Sequence, residues 1–397
     1  MIDVAGSLYE SPNPLAAHYT RFRVGERLLL TGHSHQAWPD RAEAGQRRAW
    51  LDAAEHVDAK WERAAERADR VRDGFARLLG ASPNTLSLGA NTHELVVRWL
   101  SALPLAKRPR IVTTDREFHS SRRQLQRLQE EGVSVIWVPA HPAATVGERL
   151  AAAVDAGVAA VVASTVFYDS AERAGSLEAV ARACEAHGAA LLLDAYHELG
   201  VVPFSVHDRG LANAFVTGGG YKYCQLGEGN CFLRSPPDCE LRPVVTGWFA
   251  AFGELESTSS AAVGYGPLTV RFAGATYDPT SHYRAAEVFD FFHDMGLSPE
   301  LLREVSQHQV GLLRDQVDAL GLPPSLLSRR DVPLEQLGGF LSLRSPRAGE
   351  LRRELARRGV LTDARGDVLR LGPAPYLSDV QLRDAVQALG EAARPLA

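Results

Sequence analysis

Two residues at the ends of apolar runs could carry chemistry together. The run LLLD (Leu191–Asp194) ends in a carboxylate, and His197 follows three positions on. A second run, Ala214–Thr217, leads into Gly218-Gly219-Gly220 and then Lys222, which stands between Tyr221 and Tyr223. A lysine amine that forms a Schiff base and an acid that keeps a pyridine nitrogen protonated are what pyridoxal phosphate chemistry requires. Alone, neither residue is specific, since most lysines are solvated and many aspartates cap turns. Their placement after two apolar strands selects the reading. The glycines are not a Walker loop, because no Ser or Thr follows the lysine.

Other candidates fit around this pair. Ser87–Thr92 precedes the helical HELVVRWL, and the first turn of a helix offers backbone amides to a phosphate. There Gly89 permits close approach, and Asn91 or Thr92 supplies side-chain donors. Phe118, after TDRE, could stack on the cofactor ring or pack in the core. His197 would support Asp194 or the cofactor. His33 and His35 form an HxH that would share one face of an extended segment. No third ligand accompanies them, so no metal is expected and a place along the substrate pocket fits better. Arg370 closes VLR ahead of LGP, where its forked guanidinium could hold a carboxylate.

These residues must be positioned by the elements between them. RIVTTD, SVIWVPA, AAVVAST, AALLLDAY, NAFVTGG and NCFLRSP are short, apolar and mostly β-branched, and helical-length segments separate most of them. That alternation predicts an α/β fold with a mainly parallel sheet covered by helices, whose ligands gather at the carboxyl ends of the strands. A helical stretch is expected from Pro39-Asp40 to Leu79, with Trp50, Trp61, Phe75 and Leu78 packing and Gly80 stopping it. A large domain at 46–284 and a small α+β unit built from 1–45 and 285–397 follow from the change of character near residue 285. Within the small unit, Ser298-Pro299 starts one helix, and Ser378 with Gln381 makes a capping box for the last.

Composition narrows the class. The 397 residues carry a formal charge of −5 and 23% charged side chains, which is no polycationic footprint for nucleic acid. No apolar run approaches the roughly 20 residues a membrane span needs, and the first residues lack a signal-peptide pattern. A cytoplasmic enzyme is the expectation. The four cysteines match neither a disulfide framework nor a CxxC zinc pattern.

In this order the motifs resemble kynureninase and its relatives in the class V, fold-type I PLP superfamily, over nearly the whole chain. DAYHELGVVP and GGYKYCQLGEG are similar to the family's D-x-x-H-x-x-G-x-x-P and T-Y-K-Y-x-x-G-x-G. TGWF, RFAGATYDPTS and VLRLGPAPY also match. The resemblance implies Lys222 as the Schiff-base lysine and Asp194 as the pyridinium partner. It implies Tyr221 and Trp248 as phosphate ligands, Thr276 as a phosphate ligand from a neighbouring subunit, and Phe118 as the stacking ring. Arg370 would hold the substrate α-carboxylate, and the assembly would be a homodimer with shared active sites. The implied reaction is hydrolysis of kynurenine or a related aryl-keto amino acid to alanine and an anthranilate-like acid, a step of tryptophan catabolism. Lys222 would serve as base and Tyr221 as a proton relay. A β-lyase, desulfurase or aminotransferase of the same superfamily, or a catalytically silent relative, is the alternative. Three departures bear on substrate: the family's G-N-S-L-G is Gly32-His33-Ser34-His35-Gln36 here, F-P-T-D is Phe118-His119-Ser120-Ser121, and H-V-N-Y is Thr165-Val166-Phe167-Tyr168. His33, His35 and Phe167 are thereby expected to face the substrate.

Overall fold

A computed structural model describes residues 4–254 and 262–396. After a short first strand, β1 (Leu28–Leu29), seven strands form one sheet. They are β2 (Leu86–Gly89), β3 (Arg110–Thr114), β4 (Ser134–Val138), β5 (Val158–Ser164), β6 (Ala190–Asp194), β7 (Phe215–Gly219) and β8 (Cys231–Arg234), in the order β2-β8-β7-β6-β5-β3-β4. The pairs from β4 through β7 are parallel, while β8 runs antiparallel to both β7 and β2. The six apolar runs read from the sequence are all strands. LSLG, expected as part of a phosphate loop, is a seventh at the edge.

Side-chain alternation explains why both faces must be covered. Val161, Leu191 and Leu193 point to one face, against Val71, Phe75 and Leu79 of the helix Lys60–Leu79 and Val288 of the helix Thr280–Asp294. Their neighbours Ala160, Val162 and Leu192 point to the other, against Leu95 and Trp99 of the helix Thr92–Ser101 and Leu125 of the helix His119–Glu130. All seven residues of β5 are buried, as expected of a central parallel strand. Helices cover both faces, and the site gathers at the carboxyl edge of the strands.

A separate apolar cluster joins the two ends of the chain. Leu8, Leu15, Tyr19 and Leu30 pack with Leu302 and Leu313 of the helix Pro299–Ala319 and Leu382 and Leu389 of the helix Asp379–Ala393. Four more strands lie here: β9 (Leu341–Arg344), β10 (Val360–Leu361), β11 (Asp363–Arg365) and β12 (Val368–Leu371). β1 pairs with β10, and β11-β12-β9 form an antiparallel sheet. The Ser378–Gln381 capping box is present, and Ser298 caps the helix that Pro299 begins. Among the described residues no helix is long and apolar enough to cross a membrane.

The expected helical stretch to Leu79 is two helices, Arg41–His56 and Lys60–Leu79, broken at Val57, whose φ is 48°. Trp50 does not pack; it is 78% exposed. The buried face of its helix carries small residues, Ala42 and Gly45. Gly45 lies so close to the backbone of Tyr283 that a Cβ there would come within 2.5 Å of its carbonyl oxygen. That close approach leaves Trp50 on the solvent side.

Candidate active site

The carboxyl ends of β5, β6 and β7 meet around a cavity of about 500 Å³, within the roughly 300–1,000 Å³ usual for cofactor and ligand sites. Asp194 ends β6, and its carboxylate accepts a hydrogen bond from the Tyr196 amide at 2.9 Å. Lys222 follows the glycines that end β7, and only 5% of it is exposed. The close quarters explain those glycines. A Cβ on Gly219 would sit 2.4 Å from the Tyr196 hydroxyl, and one on Gly220 would strike Leu226 at 2.5 Å.

Aromatic rings surround the amine. Lys222 Nζ lies 4.5 Å from the centre of the Tyr196 ring, 5.4 Å from Phe118 and 5.8 Å from Tyr221. Desolvation dominates its titration and pulls the ammonium down to about 7, with Asp194 opposing and Arg370 reinforcing the shift. Burial pushes Asp194 upward, against the pull of the Tyr196 amide and Lys222. It also drives the Tyr221 phenol to about 12, so that hydroxyl stays protonated near neutrality. Burial holds His197 neutral, its pKa well below the usual value. Its Nε2 therefore accepts from Lys222 Nζ at 2.8 Å, which places the remaining proton on Nδ1. Nδ1 is buried and has no hydrogen-bond partner among the described residues. His197 thus bonds the lysine rather than Asp194.

Asn91, Thr92, Phe118, Asp194, His197, Tyr221 and Lys222 all line this cavity. Asn91 caps the helix Thr92–Ser101 by accepting from the Glu94 amide at 2.9 Å, so its own oxygen is committed. Thr276 lines an adjoining space of about 640 Å³, which shares Ala90, Glu228 and Gly229 with the first. Trp248 lines neither; it is 44% exposed and packs on Phe249 and Phe252.

Phe167 requires a correction. It is fully buried in the apolar cluster beneath the sheet, beside His141, whereas Val166 and Tyr168 line the cavity. Alternation after β5 sends every second side chain inward, and Phe167 has the wrong parity to meet a ligand. The HxH expectation fails similarly. The segment is a turn, with the Ser34 and His35 amides both donating to the Thr31 carbonyl. His33 is wholly buried on Phe340, while His35 is exposed and stacks on Tyr221. Neither lines the cavity, and they do not share a face.

Arg370 is engaged within the chain. Register places Asp363 of β11 opposite it on β12, and the carboxylate takes a two-pronged grip from Nε at 2.8 Å and from Nη2. Nη1 donates to the Tyr168 carbonyl at 2.7 Å, leaving two of the five guanidinium N–H groups for another acceptor. His33 Nε2 donates to the same carboxylate at 2.9 Å. Those two donors hold Asp363 far below the ordinary carboxylate range, despite its burial. Asp363, Tyr196, Tyr168 and Glu117 are the residues sequence reasoning missed. Tyr196 and Tyr168 carried a signal, the one lying inside DAYH beside Asp194 and the other ending the segment that stands for H-V-N-Y.

Residues 302–389 match the family model of the kynureninase C-terminal domain. The chain is 24% identical over 340 residues to an uncharacterized aminotransferase, YcbU, of Bacillus subtilis, covering 85% of this chain and 87% of that one. It is 29% identical over 195 residues to the kynureninase of Xanthomonas campestris, covering 45% of each. In three dimensions it is similar to a C-DES mutant with glycine covalently linked to its PLP cofactor, at a TM-score of 0.82 and 15% identity, covering 95% of this chain and 99% of that one. It is also similar to a cysteine desulfurase from Thermococcus onnurineus, at a TM-score of 0.76 and 16% identity, covering 93% and 95%. Those likenesses establish the fold.

Proposed function

We infer that this chain, a kynureninase-like member of the class V, fold-type I enzymes, is a pyridoxal 5'-phosphate enzyme that hydrolyses kynurenine or a related aryl-keto amino acid. The observation that carries the reading is Lys222: a desolvated amine in the wall of a cavity that also presents a buried carboxylate and an aromatic wall. The residues fit the cofactor. Lys222 would hold its aldehyde carbon, Asp194 its ring nitrogen, Phe118 a ring face, and the helix start at Thr92 with Tyr221 its phosphate. The unpaired His197 Nδ1 is a further buried donor in the same cavity wall.

When bound, the cofactor supplies an electron sink for a pair released at the substrate α-carbon. The chain supplies the rest. Lys222, with its amine near neutrality half unprotonated, takes the α-proton as general base. His197 accepts a hydrogen bond from that amine and fixes its direction. Tyr221 keeps its proton and can lend it within hydrogen-bond reach. Arg370 offers its two remaining N–H groups to the α-carboxylate. Water adds at the substrate γ-carbonyl, the β–γ carbon bond breaks to release the aromatic acid, and the β-carbon takes up a proton, so that alanine is the other product.

An assembly of two copies with shared sites belongs to this proposal. Its support is that neither Trp248 nor Thr276 lines the Lys222 cavity of its own chain, and that Trp248 packs on exposed Phe252. The division into a domain at 46–284 and a unit of 1–45 with 285–397 is kept, supported by the separate apolar cluster at the chain ends.

Incubation with kynurenine and 3-hydroxykynurenine tests the reading: alanine and the aromatic acid should appear in equal amounts. A keto-acid requirement would instead favour the aminotransferase reading, to which the 85% span of similarity to YcbU lends weight. A desulfurase is disfavoured by the cysteines. Cys231 lines the cavity, but burial drives its thiol to about 12, and Cys224 is likewise buried and inert.

A further inference from the structure

Behind Asp194 lies a second buried carboxyl that the reaction outlined above does not use. Glu117 follows β3 and is 1% exposed. Its carboxylate is built into the strand ends that frame the cavity. Oε2 accepts from the Ser164 hydroxyl at 2.6 Å, and Oε1 accepts from the Thr114 hydroxyl at 2.6 Å and the Ser164 amide at 3.2 Å. Ser164 ends β5 directly opposite Asp194 on β6 and itself lines the cavity. The next residue after Glu117 is Phe118, whose ring lies beside Lys222. One side chain thus ties together β3, β5 and the loop that presents the aromatic wall.

We propose that Glu117 is a positioning residue of this site, which fixes the strand ends beside Asp194 and whose charge sets the potential felt at the cofactor's ring nitrogen and at Lys222. The inference rests on the cofactor reading. Its physical basis is a balance between cost and partners. A buried carboxyl with no partner would stay neutral, and one with three donors and no burial would stay charged. Here burial pushes upward, Asp194 pushes the same way, and the Ser164 and Thr114 donors pull down, so Glu117 titrates near 7. The groups facing it are few. Thr114 and Ser164 do not titrate, Asp194 acts from β6, and the adjacent Arg116 is drawn to Asp169 at 3.4 Å. Protonation of Glu117 therefore changes the charge beside Asp194 near pH 7.

The test is a spectral pH titration of the cofactor-loaded chain, read as the loss of the visible band of the protonated lysine–cofactor link. Glu117→Gln should lower the midpoint by about one pH unit. That is roughly the worth of a unit charge three strand spacings, about 14 Å, away at an effective dielectric of about 20, β3 and β7 being three steps apart in the sheet. Thr114→Val, which removes one donor without touching the cavity, favours protonated Glu117 and should shift the midpoint in the same direction by less. If Glu117→Gln fails to load, the Thr114→Val titration decides alone. A visible band with an unmoved midpoint in the loaded variants overturns the inference. A wild-type chain that takes up no cofactor overturns the underlying reading instead.

Discussion

The depressed basicity of Lys222 gives the sharpest prediction. Burial moves its amine from 10.5 to about 7, so at pH 8 about nine-tenths of it is neutral, against about 0.3% for an ordinary lysine. Capture of pyridoxal phosphate by the cofactor-free chain should then be roughly 300-fold faster at pH 8 than solvated lysine allows. The profile differs as well as the size. Between pH 6 and 8 the rate should rise about tenfold and then level, whereas an unperturbed amine would rise about a hundredfold and continue to pH 10. Stopped-flow absorbance across pH 5.5–10, with borohydride trapping and mass mapping to Lys222, measures this. Because Asp194 props the pKa up, Asp194→Asn should move the midpoint lower still. A wild-type midpoint above about 9 would refute the claim that the amine is desolvated, and with it the assignment of this lysine.

Other expectations concern the residues the structure repositioned. Phe167→Ala should lower stability by about 3–5 kcal/mol in urea unfolding and leave the KM of the aryl substrate alone; a selective KM change would restore it to the substrate pocket. Arg370→Ala should raise KM for a carboxylate substrate by roughly 10- to 100-fold, the worth of about 1.5–3 kcal/mol of charged hydrogen bonds, and an unchanged KM would refute the carboxylate role. Ser378→Ala breaks the capping box and should cost about 1 kcal/mol in the same unfolding assay. Asp363 titrates lower in the folded chain than unfolded, so its pairing stabilises above pH ~4 and is lost as pH falls further. Asp363→Asn should therefore flatten the acid limb of the stability curve.

Much of the fold was legible because strand and helix periods are local. The six apolar runs, the Pro299 helix start and the Ser378 capping box depend on neighbours within a few residues. Lys222 and Asp194 could be found for the same reason: each follows an apolar strand, and a parallel sheet delivers strand ends to one edge. Tertiary structure alone decided the rest. Phe167 and Tyr168 are adjacent in sequence, yet parity after β5 buries one and opens the other to the cavity. Trp50 is apolar but lies opposite the glycine face on which its helix packs. Arg370 is joined to Asp363 by hairpin register, and His33 reaches the same carboxylate from the far end of the chain. Glu117 is one acid among many in the sequence, and only burial beside Ser164 gives it a proton to hold near neutral pH. Sequence determines which groups the chain owns and how each segment coils. Desolvation and long-range pairing, which set how a group titrates and what it touches, arise only once distant segments close around it.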